Sequence, residues 1–218
     1  MENSFLILIF QLAVLIFSVM IHEISHGYVA ENLGDPTARN EGRLTLNPLK
    51  HLDPFGSVIL PLILSIPIFF GQPSIIFGWA KPVPYNPAYL KNPKSGAAKI
   101  AAAGPISNLV LAAIFGILIR FFPHMNYAGA DTIALFFGFI VYINILLAIF
   151  NLMPIPPLDG SKVLFSLLPP TESSARLVFF LERYGLILLL MFIFFGFGLI
   201  IPLVDFIYRI FAGPTSLF

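Results

Sequence analysis

The sequence contains no cysteine, and only 11% of its 218 residues are charged. The absence of cysteine excludes disulfides, thiolate catalysis and cysteine-ligated zinc, so any bound metal must use histidines and carboxylates. The twelve lysines and arginines are scattered and the formal net charge is +1, whereas a nucleic-acid surface requires a clustered basic face. We therefore expect neither a thiol enzyme nor a nucleic-acid partner.

Hydrophobic residues make up 58% of the chain. Apolar runs of about 20 residues, enough to cross ~30 Å of hydrocarbon, recur along it. They predict four transmembrane helices, at about residues 5–29, 97–122, 132–152 and 184–204. We expect an all-α polytopic membrane protein with one membrane-embedded domain over residues 1–218 and the lipid bilayer as its main solvent. No basic residue precedes the first apolar run, so we expect this run to be retained rather than cleaved as a signal peptide.

Two further stretches do not fit a spanning helix. The apolar segment 55–70 is short and is interrupted by Pro61 and Pro67, which predicts a re-entrant or surface-lying segment. Residues 78–87, GWAKPVPYNP, contain three prolines, which predict a small extended stretch beside the membrane. It offers an edge with which an unwound substrate could pair as an added strand.

Basic residues indicate the orientation, because lysine and arginine are retained on the cytoplasmic side of a membrane. They concentrate in residues 31–96 and 154–183, whereas the opposite side has chiefly Arg120 and Arg209. We therefore expect the C-terminal end of the first span to face the cytoplasm. As a separate expectation, the membrane is that of a prokaryotic cell.

The chemical signal lies in the first span, where His22-Glu23-Ile24-Ser25-His26 forms an HExxH motif. Residues four apart share one face of a helix, so both imidazoles can bind one zinc ion with Glu23 as general base. Uncompensated ionisable groups at that depth cost at least ~2.5 kcal/mol each, which favours a functional role. Glu23 would deprotonate zinc-bound water and then protonate the leaving nitrogen.

A catalytic zinc ion takes three protein ligands, so one remains to be found. Asp159 is the best candidate, because it follows a long apolar span in a break shaped by proline and glycine. It could instead cap a helix before Ser161. The less favoured candidates are Asp131, His124, Asp53, His51 and Asp205.

Three ordered motifs resemble the site-2 protease family of intramembrane zinc metalloproteases. They are the HExxH element, residues 103–108 (AGPISN) and residues 151–160 (NLMPIPPLDG). The resemblance implies an endopeptidase that cuts in or near transmembrane segments of membrane-protein substrates, with one Zn²⁺ per chain. It implies that His22, His26 and Asp159 bind the metal and that Glu23 is catalytic. It also suggests that Asn108 and Asn151 line the substrate cleft.

The chain is similar to a compact subgroup without a PDZ or CBS domain, which carries HLDPFG at residues 51–56 and GWAKP at residues 78–82. His51 and Asp53 could add a polar contact near the site, although a loop histidine whose hydrogen bonds are satisfied is the simpler interpretation.

An intramembrane metal-ion transporter remains the main alternative function, because histidine and aspartate also bind ions in transit. A non-catalytic scaffold, in which the HExxH residues pair across helices, is a third.

Overall fold

The computed structural model describes residues 2–70, 79–121 and 129–213. These residues form eight α-helices and no strand. The helices are α1 (Glu2–Asn32), α2 (Thr37–Asn40), α3 (Leu60–Phe69), α4 (Pro93–Phe121), α5 (Ala130–Asn151), α6 (Asp159–Leu167), α7 (Glu172–Met191) and α8 (Ile201–Ala212). Short 3₁₀ or π turns lie at Pro48–Lys50, Pro54–Ile59, Pro87–Tyr89, Phe192–Gly196 and Phe197–Leu199.

Among the described residues, four helical segments are long and apolar enough to cross a membrane: Ile9–Asn32, Pro93–Phe121, Ala130–Asn151 and Glu172–Leu199. The all-α polytopic architecture predicted from the apolar runs is therefore confirmed. The chain is an integral, multi-pass membrane protein.

The fourth span begins earlier than its apolar run indicates, at Glu172 rather than near residue 184. The side chain of Thr171 accepts the Ser174 N–H and caps the helix there. The first turns carry charged residues, including Glu172, Arg176 and Arg183. A search for continuous apolar sequence therefore misses them.

The C-terminal half also contains two helices that the apolar runs did not resolve. Residues 154–170 read as a proline-rich connection, yet α6 forms inside them. The predicted end of the fourth span merges with α8, which begins after a short irregular stretch at Phe192–Leu199. Here α8 adds the buried side chains of Val204, Tyr208 and Ala212 to the face between α4 and α5.

Trp79 lies against the start of the apolar segment 55–70. The Trp79 N–H donates to the Gly56 carbonyl at 3.2 Å, and the rings of Phe55 and Trp79 lie 5.9 Å apart. A Cβ atom on Gly56 would lie 2.3 Å from the indole, so this approach requires glycine. The start of the apolar segment thus packs against Trp79, and its re-entrant or surface-lying course stays a prediction. The predicted extended stretch starts at Gly78, which lies outside the described residues, and is irregular from Trp79 to Asn86.

The packing of α8 against α4 depends on Gly116. A Cβ atom there would lie 2.7 Å from the Phe211 Cβ and 2.9 Å from the Phe211 backbone carbon. We expect Gly116→Ala to lower the free energy of unfolding by about 1–3 kcal/mol, the usual cost of overpacking. Thermal unfolding in detergent measures this change. Gly198→Ala is the control, because nothing lies within 4 Å of a Cβ at that position, and an equal loss in both variants would contradict the prediction.

Candidate metal centre

The HExxH motif lies within α1, where His22 and His26 occupy successive turns of one face. Their ring centroids are 4.7 Å apart and the ring planes are nearly perpendicular, at 87°. Both side chains are buried, with residue exposures of 5% and 8%. The helix therefore presents two imidazoles to one point inside the protein.

Asp159, the first residue of α6, brings its carboxylate to the same point. Its Oδ2 atom lies 3.1 Å from His22 Nε2 and 3.0 Å from His26 Nε2. Ligand atoms of the three residues all lie within 4.8 Å of one another. The residue at the helix N-cap position is Leu158, not Asp159, and the carboxylate points to the imidazoles.

Gly160 allows the start of α6 to lie this close to the histidines. A Cβ atom at this position would lie 2.1 Å from the Leu152 carbonyl oxygen and 2.5 Å from that of Met153. The turn that leaves α5 thus folds back directly onto the start of α6. Any larger residue would push Asp159 away from the histidines.

The opposite ring nitrogens fix the state of each imidazole. His22 Nδ1–H donates to Asn108 Oδ1 at 2.6 Å, and His26 Nδ1–H donates to the Ile100 carbonyl at 2.6 Å. Because both partners are acceptors, each ring holds a proton on Nδ1. Nε2 of each ring also faces an acceptor, Asp159 Oδ2, so either a proton or a cation lies between them, and with a cation each neutral imidazole turns its Nε2 lone pair toward it. Two nitrogen lone pairs and a carboxylate oxygen therefore converge, and a divalent cation between them satisfies all three. The donor set fits a transition metal of the zinc type.

The charge on Asp159 suits this role. Burial raises the pKa of its carboxyl, whereas the nearby Lys162 ammonium group lowers that pKa and favours the carboxylate. Lys162 Nζ donates to the second oxygen, Oδ1, at 3.4 Å. One carboxylate oxygen thus faces the imidazoles while the other faces an ammonium group.

Helix α4 approaches the imidazoles at Gly104, inside the AGPISN motif. A Cβ atom there would lie 2.5 Å from His22 Nε2 and 2.6 Å from His26 Cε1. The gap between the α4 backbone and the two imidazoles therefore has room for the hydrogen of a glycine but not for a side chain. The same close approach carries Ile100 and Asn108, one turn away on either side, to the two Nδ1 atoms.

Glu23 faces the irregular segment 79–86. Its Oε2 atom accepts the Val83 N–H at 2.8 Å, and the residue is half-buried. The carboxylate is thereby held by a main-chain amide outside the helix bundle, and it is separate from the three converging ligands.

Buried polar groups anchor this segment on both sides of Val83. Arg43 Nη2 donates to the Lys81 carbonyl at 2.7 Å, and the Lys81 N–H donates to the His51 carbonyl at 2.8 Å. On the other side, the fully buried Asp35 accepts the Asn86 N–H at 2.6 Å. The segment is therefore held through its backbone at several points.

The two asparagines differ in their surroundings. Asn108 is fully buried, and its carbonyl oxygen is occupied by His22. Asn151 is half-buried at the C-terminal end of α5, and its Nδ2 atom donates to the Leu147 carbonyl at 2.9 Å. Of the two, Asn151 is the one with exposed surface.

The remaining candidates for a ligand do not join the cluster. His51 Nε2–H donates to the Thr45 carbonyl at 2.9 Å, and Asp53 accepts the N–H groups of Phe55 and Gly56 at the start of a turn. Asp131 and Asp205 are exposed. His124 lies outside the described residues. Within those residues, His22, His26 and Asp159 form the one group that could hold a metal ion.

Sequence reasoning missed the groups that support the ligands and Glu23. The Ile100 carbonyl and the Val83 amide are main-chain atoms, and main-chain atoms leave no residue-type signal. Asn144 did leave one, because it is a polar residue in the middle of an otherwise apolar span.

The helical fold and a buried His₂-carboxylate cluster beside an HExxH glutamate define a membrane-embedded metalloprotease. The chain belongs to peptidase family M50. The family model matches residues 124–192, which include Asn151 and Asp159 and follow the HExxH motif in sequence.

Relatives that span most of the chain support this assignment. The Bacillus subtilis protein provisionally named zinc metalloprotease YwhC is 40% identical over 180 residues, covering 81% of this chain and 76% of the relative. A Methanocaldococcus jannaschii protein with the same kind of provisional name, MJ0611, is 35% identical over 74% of this chain and 72% of its own. The Mycolicibacterium smegmatis protein Rip2, also provisionally named a zinc metalloprotease, is 31% identical over 73% of this chain and 58% of its own. No solved structure matches.

The close approach at Gly104 gives a direct test of the metal centre. We expect Gly104→Ala to lower the affinity for Zn²⁺ at least about tenfold, because the new methyl group displaces the imidazoles. Competition with a chromogenic chelator measures the affinity. Gly116→Ala is the matched control, since it crowds the same helix three turns away. Equal Zn²⁺ affinity in the two variants would contradict the assignment of this cluster.

Proposed function

We propose that the chain is an intramembrane zinc-dependent endopeptidase that hydrolyses peptide bonds in or near transmembrane segments of membrane proteins. The convergence of His22 Nε2, His26 Nε2 and Asp159 Oδ2 carries this proposal. Three nitrogen and oxygen ligands with one open position are the set that catalytic zinc takes. The names of the relatives as zinc metalloproteases support the choice of metal.

Glu23 is the proposed general base. A zinc ion at the cluster supplies Lewis-acid chemistry, which makes water acidic near pH 7 and polarises a carbonyl group. Glu23 takes the proton from the attacking water and delivers it to the nitrogen that leaves. The Val83 amide holds Oε2 at 2.8 Å, which orients the carboxylate for both transfers.

The two asparagines take different roles in this proposal. Asn151 retains exposed surface eight residues before Asp159 in sequence, so its side chain is the proposed contact for the substrate backbone. Asn108 acts instead through His22, whose Nδ1–H it accepts. The sequence-based expectation that both line the cleft is thus kept for Asn151 alone.

The segment 79–86 is the proposed docking edge for an unwound substrate. Over residues 79–83 the odd-numbered residues face the protein, since the N–H groups of Trp79, Lys81 and Val83 are all bonded there. The opposite edge then carries even-numbered residues, of which Pro82 and Pro84 have no N–H. A substrate strand would therefore meet mainly carbonyl acceptors, and it would supply the donors.

We place the site toward the cytoplasmic side of a prokaryotic cell membrane. His22 lies about three turns from the Asn32 end of α1, roughly 15 Å at 1.5 Å per residue. The connections at that end carry most of the basic residues, while Arg120 and Arg209 lie toward the other end of the bundle. The positive-inside rule supports this orientation. A site near the cytoplasmic surface also gives water a short path from the cytoplasm to the proposed metal ligands.

Glu23→Gln tests the catalytic role. We expect cleavage of single-span membrane proteins by the purified chain to fall at least about a hundredfold, the usual contribution of a general base. The variant should still bind about one zinc ion, because the amide removes the base without touching the three ligands. Zinc quantification and gel-based cleavage are measured on the same preparations.

The other possible results of the Glu23→Gln experiment distinguish the protease from the alternative functions. Undiminished cleavage by Glu23→Gln would remove Glu23 from the mechanism. Metal bound by both proteins with no cleavage by either would favour a metal-ion transporter, and Zn²⁺ flux into proteoliposomes would then decide. Wild type without any metal would contradict the proposed function as a whole.

Val83→Pro tests the contact that holds Glu23. Proline lacks the N–H that Glu23 accepts, so we expect cleavage to fall about tenfold or more with bound zinc unchanged. Val83→Ala keeps the N–H and is the matched control, for which we expect cleavage close to that of wild type. Equal cleavage by the two variants would show that the Val83 amide does not support the base.

A further inference from the structure

Three polar residues lie in the middle of three apolar helices, behind the metal ligands. Asn108 in α4 and Asn144 in α5 are fully buried, and Ser18 in α1 is 3% exposed. Polar groups at this depth are costly unless they bond one another, because a bilayer offers no water. Such residues in transmembrane segments are functional-site candidates by default.

These residues form a connected set of hydrogen bonds, the Ser18–Asn144–Asn108 relay. Asn108 Nδ2 donates to Asn144 Oδ1 at 2.8 Å and to the Ser18 carbonyl at 3.4 Å. Asn144 Nδ2 donates to Ser18 Oγ at 2.9 Å and to the Ile140 carbonyl at 2.8 Å. The relay ends at His22 Nδ1, which is 2.6 Å from Asn108 Oδ1.

The direction of the relay follows from its fixed acceptors. The carbonyls of Ser18 and Ile140 belong to helix backbones, so they can accept hydrogen bonds but never donate them. Each side-chain amide must turn its NH₂ group toward such a carbonyl. Asn144 then presents its oxygen to Asn108, and Asn108 presents its own oxygen to His22.

The direction of these hydrogen bonds decides which nitrogen of His22 can bind a metal ion. An oxygen opposite Nδ1 requires a proton on Nδ1, so in the neutral ring the lone pair lies on Nε2, the atom that faces Asp159. A reversed Asn108 amide would donate to Nδ1 and place the proton on Nε2. That tautomer cannot bind a metal through Nε2, so amide orientation and metal binding are linked.

We propose that Asn144 and Ser18 are positioning residues that keep Asn108 in the orientation that makes His22 a metal ligand. The inference rests on the proposed function, because it assigns His22 to the zinc site. The side chains of Asn144 and Ser18 hydrogen-bond one another, Asn108 and backbone carbonyls rather than a residue of the cluster, so in this proposal they act through Asn108. Binding of the ion therefore depends on the packing of α5 as well as on the helices that carry the ligands.

Zinc affinity of the variant Asn144→Leu is the first measurement. Leucine suits a transmembrane helix and removes both the acceptor and the donors of the asparagine. We expect the affinity for Zn²⁺ to fall about tenfold, at the lower end of the range for outer-shell partners of metal ligands. Ser107→Ala is the control, because its hydroxyl bonds only the Gly104 carbonyl of its own helix and its loss should leave affinity unchanged.

A double-variant comparison separates an indirect role from a general structural one. If Asn144 acts through Asn108, then Asn108→Leu with Asn144→Leu binds Zn²⁺ as weakly as Asn108→Leu alone. If Asn144 had only a general structural role, its replacement would lower the Zn²⁺ affinity of Asn108→Leu further. Wild-type affinity in Asn144→Leu, or a double variant about tenfold weaker than Asn108→Leu, overturns the proposal.

The tautomer of His22 gives a readout that needs no metal. The chain has four histidines, so ¹⁵N-histidine labelling allows His22 to be assigned by its loss in His22→Gln. Because Asn108 Oδ1 faces Nδ1, we expect a hydrogen-bonded Nδ1–H in the metal-free wild type, with or without a second proton on Nε2, and partial loss of the Nδ1 proton in Asn144→Leu. If the wild type binds no zinc, the proposed function is overturned, but the spectrum still tests the relay. An Nδ1–H signal in Asn144→Leu that is unchanged from wild type would overturn the role proposed for Asn144.

Discussion

A polar group buried in a bilayer must find its partner inside the protein, and the arrangement of this molecule depends on that constraint. The two imidazoles of α1 illustrate it. His22 and His26 are each bonded by α4, through Asn108 and the Ile100 carbonyl, and both face Asp159 from α6. The groups that hold the candidate metal centre are therefore also the groups that join the helices.

Close helix approach is the second requirement, and small residues meet it. Gly104 lets α4 reach the imidazoles, and Gly160 lets the chain turn from α5 onto the start of α6. In membranes helices gain little from the hydrophobic effect between them, so packing and polar contacts drive their association. The glycines of the AGPISN and NLMPIPPLDG motifs thus act through geometry, while His22 and Asp159 supply the chemistry.

Sequence patterns predicted the parts of the structure that depend on residue type. The apolar runs located the spanning helices, and the HExxH motif with the aspartate of residues 151–160 named the three residues that converge. The start of α7 at Glu172 escaped prediction because charged residues interrupt hydropathy while Thr171 caps the helix. The Ile100 carbonyl and the Val83 amide escaped it because any residue supplies those atoms.

The proposed metal ligands and the proposed general base are held by different parts of the chain. The Nδ1 atoms of the two histidines are bonded by α4, whereas Glu23 is bonded by Val83 in an irregular segment. That segment is tied down through its backbone by Arg43 and Asp35, and none of the ligand anchors belongs to it. A substrate strand that shifts the segment would therefore change the surroundings of Glu23 and leave the metal ligands in place. In the proposed mechanism, separate supports would allow Glu23 to respond to substrate while the helices keep the geometry of the proposed metal centre.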